Sequence, residues 1–130
     1  MKLVLDASAA MNVALGKAPE NLLIKLENAD LVTAPELFFT EVSNAIWKYH
    51  RFEKLPLEDC LKMKRRCFDL VDKTMPTAEL IEEAFLMACE AQHSVYDACY
   101  LVCAKRYHAA LITMDQKLAK VADRFSIQLF

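Results

Sequence analysis

Apolar residues along this chain fall into two patterns, short unbroken runs and longer stretches with helical spacing. Lys2-Leu3-Val4-Leu5 is too short for a helix and predicts a buried strand, as do Leu31-Val32-Thr33 and the stretch 109–113. Ser126-Ile127-Gln128-Leu129 predicts a closing strand. Between these runs the spacing turns helical. Ala7 to Leu15 reads as a helix ending near Gly16, and Pro19-Glu20 opens a short one through about Asn28. Pro35 stops the second strand, and a long helix follows from Glu36 to about Glu53. Its positions Phe38, Val42, Ala45, Ile46 and Tyr49 form one buried face. Trp47 and Phe39 lie off that face, as core residues or as contacts for a partner. Pro56, favoured at a helix start, opens a helix from Leu57 to about Lys73. Thr77 caps the next, with Leu80, Ile81, Ala84, Phe85 and Ala88 as its stripe. Ser94-Val95-Tyr96-Asp97 has capping-box form and starts a helix through Tyr107. A last helix runs from Asp115 to Arg124.

Strands separated by helices predict an α/β fold: a central parallel sheet of four to five short strands, flanked by helices on both faces. No linker, repeat or low-complexity segment interrupts residues 1–130, which read as one domain.

Composition narrows the chemistry. The single glycine, Gly16, excludes both a dinucleotide fingerprint and a phosphate-cradling loop, which need several glycines for tight turns and close backbone approach. No apolar run approaches the roughly 18 residues of a membrane span, and the first acid arrives too early for a signal peptide, so a cytoplasmic protein is expected. The five cysteines (Cys60, Cys67, Cys89, Cys99, Cys103) contain no Cys-x-x-Cys pair and read as reduced, mostly buried thiols rather than a zinc site with His108. Net charge is −2, yet the cations cluster at Lys48, Arg51 and Lys54 and at Lys62, Lys64, Arg65 and Arg66.

Four acids carry the candidate chemistry. Asp6 follows the first strand and Asp115 the stretch 109–113, where open α/β sheets gather ligands beyond the carboxyl ends of their strands. Glu41 and Asp97 lie on helices that could stand alongside. Each has an ordinary structural reading as well: Asp6, Asp97 and Asp115 as helix caps, Glu41 as a solvated side chain. Together they would form a like-charge cluster that calls for a cation, most simply a hard divalent metal. Glu41 shares its polar stripe with Asn44 and Lys48. A receiver domain lacks its acidic pair here and a haloacid-dehalogenase-type phosphatase its Asp-x-Asp, because Ala7-Ser8 follows Asp6.

These segments resemble those of PIN-domain proteins, and among them the single-domain VapC-type toxins of prokaryotic toxin–antitoxin pairs. The resemblance covers the whole chain and rests on Leu3-Val4-Leu5-Asp6-Ala7-Ser8, Glu41-Val42-Ser43-Asn44-Ala45, Tyr96 to Ala104, and Leu111-Ile112-Thr113-Met114-Asp115. Where some members carry a further acid, this chain has Gln116. The resemblance implies an endoribonuclease using Mg²⁺ or Mn²⁺ and a metal-activated water, leaving 5′-phosphate and 3′-hydroxyl ends. Asp6 and Asp97 are the expected principal ligands, with Glu41 and Asp115 completing the site and Ser8, Asn44 and Thr113 supporting it. Lys48 and Arg51 are the expected RNA contacts. An antitoxin partner and a homodimer are implied too. The rival expectation is a PIN fold that mainly binds a protein and cuts RNA weakly or not at all. The histidines, His50, His93 and His108, read as surface or loop residues.

Overall fold

The computed structural model describes residues 1–130. Its sheet is built from β1 (Lys2–Leu5), β2 (Leu31–Pro35), β3 (Lys73–Met75) and β4 (Ala110–Ile112). All pairings are parallel, in the order β3-β2-β1-β4, with Leu3 opposite both Val32 and Ala110. Leu3, Val4 and Leu5 are fully enclosed. That is why β1 is an unbroken apolar run: a central parallel strand is covered on both faces and has no solvent side to alternate toward.

The helices are α1 (Ala7–Ala14), α2 (Glu20–Glu27), α3 (Leu37–Glu53), α4 (Leu57–Asp69), α5 (Thr77–Ala91), α6 (Val95–Tyr107) and α7 (Gln116–Arg124). Steps from β1 to β2 and from β2 to β3 move one way across the sheet, and the step from β3 to β4 returns past both. Right-handed crossovers then set α1 to α4 on one face and α5 with α6 on the other. Contacts agree: α1 packs on α3 and α4, while α6 lies against α5, β1, β2 and β4. Seven consecutive residues of α6, Ala98 to Ala104, are buried. A helix enclosed on all sides shows no amphipathic stripe, and it fixes Asp97 in its first turn firmly.

The structure corrects the expected elements at several points. Helix α4, expected to run to about Lys73, stops at Asp69, and Lys73–Met75 forms edge strand β3. Asp72 helps to seat it by accepting a bond from the backbone N–H of Val32 at 2.7 Å. The closing strand shrinks to one bridge, Leu111 to Leu129, giving four strands. Pro76 rather than Thr77 occupies the cap position of α5, without a side-chain cap. That helix buries Leu80, Ala84, Met87 and Ala88, whereas Ile81 and Phe85 are exposed. Phe39 packs edge-on against Phe68 at 4.7 Å as a core residue, and Trp47 faces outward, half exposed. No helix is long and apolar enough to cross a membrane.

Candidate active site at the carboxyl edge of the sheet

The chain leaves β1 toward β2, and β4 returns to pair with β1 on its other side. Between β1 and β4 the strand order therefore reverses, which is where an open α/β sheet forms its ligand crevice. Asp6 stands at that point. Its backbone N–H donates to the Ile112 carbonyl at 3.1 Å, and its Oδ1 accepts from the Ala9 N–H at 2.9 Å and the Ser8 hydroxyl at 2.7 Å. Asp6 thus caps α1 at the switch point itself. Ser8 Oγ in turn accepts from the Met114 N–H at 3.1 Å, tying α1 to the loop after β4. Only 5 % of Asp6 is exposed. Burial raises its pKa; bonds from Thr113, Ala9 and Ser8 oppose the rise, and the charge of Asp97 adds to it.

Glu41 reaches the same region from the first half of α3. Its pKa is also raised, chiefly by burial and further by Asp97 and Asp6, while Tyr100 lowers it. Three acids from three elements therefore act on one another. The Tyr100 hydroxyl, enclosed beside Glu41, perturbs that carboxyl yet has no partner in ordinary hydrogen-bond geometry. Burial first and Glu41 second push its phenol strongly upward.

Asp97 sits in the first turn of α6. Its backbone N–H donates to Ser94 Oγ at 3.2 Å, which is the cap; its carboxylate does not complete the expected box, and Oδ2 lies 2.8 Å from His93 Nε2. The approach falls outside well-formed hydrogen-bond geometry. His93, read from sequence as a surface or loop residue, is thereby a neighbour of the site. Its four-residue spacing from Asp97 is the one signal that could have shown it.

Asp115 has a different role in the geometry. Its Oδ1 caps α7, accepting from Lys117 N–H at 2.9 Å and Leu118 N–H at 3.4 Å, and its own N–H donates to Thr113 Oγ1 at 3.0 Å. It is absent from the charges that perturb Asp6 or Glu41. Asp115 joins the group only through Thr113. No three acidic, histidine or cysteine side chains stand close enough to form a ready-made ion cage. No ion pair with a lysine or arginine neutralises Asp6, Glu41, Asp97 or Asp115.

A cleft of about 400 Å³ opens beside Glu41, lined among others by Ser8, Asn44, Lys48 and Tyr49. Asn44, expected to support the acids, is exposed on the cleft wall.

The model of the PIN domain family matches residues 3–124, which takes in all four acids. This chain is a PIN-domain protein. Ribonuclease VapC3 of Pyrobaculum aerophilum is 32% identical over 127 residues, covering 92% of this chain and 94% of that protein. The crystal structure of PAE2754 from the same organism superposes with a TM-score of 0.75 at 20% identity, over 93% of this chain and 79% of that one, and supports the fold. The PIN match ends at the close of α7, so of the Leu111–Leu129 bridge only the Leu129 side lies beyond it. Elsewhere in this PIN domain all five cysteines are free. Burial holds the thiol of Cys67 up at about 11 and that of Cys103 at about 12, so both are inert, protonated core groups.

The raised acids give a pH prediction. Asp6 and Glu41 hold a proton more tightly folded than unfolded, so their contribution to stability is greatest below the unfolded values near 4 and is lost as pH rises through the raised ones. Asp6→Asn keeps the shape of the cap but cannot ionise. In EDTA its Tm should gain on the wild type by a few degrees between about pH 4 and pH 7. A Tm difference that stays flat across that range would count against the upward shift that burial gives Asp6.

Proposed function

We propose that this chain is a metal-dependent endoribonuclease, the toxin of a type II toxin–antitoxin pair, that hydrolyses RNA to leave 5′-phosphate and 3′-hydroxyl ends. One observation carries the reading. At the switch point of the sheet, Asp6, Glu41 and Asp97 act on each other, and no lysine or arginine answers their charge. One buried carboxylate, Asp6, with two half-buried ones beside it is a grouping that a cation or bound protons would offset.

The donor set fits a hard divalent cation such as Mg²⁺ or Mn²⁺, which takes carboxylate oxygens and keeps several waters. Asp6 and Asp97 are the proposed principal ligands, with Glu41 and Asp115 completing the set directly or through water. When bound, such an ion activates a water as nucleophile and steadies charge at the scissile phosphate. Ser8, in α1, holds Asp6 by a hydrogen bond, and Thr113, in the loop after β4, favours the ionised form of the same carboxyl. Lys48, on the cleft wall beside Glu41, is positioned to hold the phosphate backbone, with Arg51 one turn further along α3. We also infer a cytoplasmic location, a cognate antitoxin and a homodimer, in line with the VapC resemblance. The exposed Ile81, Phe85, Leu86 and Tyr96 supply an apolar surface of the kind such associations cover.

The reading is tested first by melting, without any activity measurement. A ligand bound only by the folded state adds about 2.7 kcal/mol at a hundredfold excess over Kd. Millimolar Mn²⁺ should raise the Tm of the wild type by several degrees over EDTA, and the gain should disappear in the Asp6→Asn, Asp97→Asn double variant. A Tm that ignores Mn²⁺ would remove the metal from the proposal.

A further inference from the structure

We propose that Phe52, with Trp47 packed edge to face against it, forms a stacking platform for unpaired RNA bases, continuous along α3 with the cleft beside Glu41. The inference rests on the ribonuclease reading and adds where the substrate strand lies. Along α3, eleven residues separate Glu41 from Phe52, which brings them within about 20° of each other around the helix and roughly 16 Å apart along it. Lys48 lies on the same line between them. Lys48 and Tyr49 border the cleft beside Glu41 and also a second hollow of about 160 Å³ that Phe52 and Glu53 complete. The two spaces therefore share a wall. At a stacked spacing of roughly 3.4 Å the distance suits about five nucleotides.

The aromatic pair is built but uncovered. Trp47 and Phe52 meet edge to face at 6.0 Å, yet they remain 50% and 67% exposed. The Arg51 guanidinium sits 5.5 Å from the Phe52 ring centre. Neither Lys48 nor Arg51 is engaged in an ion pair. Exposed rings interleaved with unengaged cations are the combination that binds single strands without reading sequence: cations track phosphates, and any base presents a face to stack. A purely apolar protein contact would leave those two cations without a role, and charge complementarity favours RNA.

Trp47 is the only tryptophan in the chain, so its fluorescence reports this site alone. The full chain carrying Asp97→Asn would be titrated in Mn²⁺ with an unstructured single-stranded RNA of about ten nucleotides. Saturable quenching is expected, with little from the duplex of the same sequence or from an abasic strand. Phe52→Ala should weaken binding roughly 5- to 150-fold, the range for loss of one stacked base, and Phe52→Tyr should restore it. In the active chain, Phe52→Ala should raise KM and leave kcat nearly unchanged. Absent quenching, or quenching equally strong with duplex or abasic RNA, overturns the proposal and returns the pair to a protein partner. The two readings fail separately. A chain that stacks RNA but never cuts it refutes the nuclease alone, and one that cuts RNA without quenching refutes the platform alone.

Discussion

Asp97→Asn is expected to reduce RNA cleavage by at least 10²–10³ while leaving the fold intact, the scale on which loss of one well-placed electrostatic group acts. The structure makes this substitution unusually clean. What caps α6 is the bond from the Asp97 backbone N–H to Ser94, and that bond does not involve the carboxylate. Asn preserves the volume and can still meet His93. A purely structural role therefore predicts a stability change below about 1 kcal/mol and ordinary cleavage. A role in holding a cation predicts the opposite pattern, an unchanged Tm in EDTA with cleavage lost. Measuring both on the same purified protein, against an unstructured oligonucleotide in Mn²⁺, separates them. Wild-type cleavage rates in the Asn variant would sink the assignment.

How legible these features were depended on how much of each pattern a single element carries. Strand β1 could be read because it is central and wholly apolar, and its acid followed directly. Helix α6 betrays itself through Ser94, although its burial on every side erases the stripe that periodicity looks for. Strand β3 leaves no such signal, because Lys73-Thr74-Met75 is a three-residue edge strand, half exposed and without an apolar run. Helix α5 carries two apolar lines. Leu80, Ala84, Met87 and Ala88 face the core, and Ile81, Phe85 and Leu86 face out, a choice that tertiary packing makes and spacing cannot. Within the candidate site, the acids were visible as residues but their division of labour was not. Asp115 spends its carboxylate on the start of α7, and Tyr100, which looks like core, places a buried hydroxyl beside Glu41. Such relations exist only once α3 and α6 meet.

Cleavage by the wild type should stop in EDTA, return with Mg²⁺ or Mn²⁺, and leave 3′ ends that a poly(A) polymerase extends directly. The competing route among small ribonucleases uses the RNA 2′-hydroxyl as nucleophile, works without metal and leaves a cyclic phosphate. That route relies on paired proton donors and acceptors, commonly histidines. Here His50 Nδ1 is 2.7 Å from the Leu55 carbonyl at the far end of α3, and His108 is exposed at the C-terminal cap of α6. Only His93 stands by the acids, and a single imidazole against Asp97 does not make an acid–base pair. The carboxylates, by contrast, are suited to holding an ion that activates water. A substrate methylated on the 2′-hydroxyl at the cut site should accordingly still be cut, with any loss appearing in KM rather than kcat. The decisive comparison is end-group analysis of products made with and without chelator, on protein shown free of contaminating ribonuclease by the inactivity of its Asp97→Asn counterpart. Cyclic phosphate ends formed in EDTA would refute the hydrolytic reading, even though the fold and its four acids would stand.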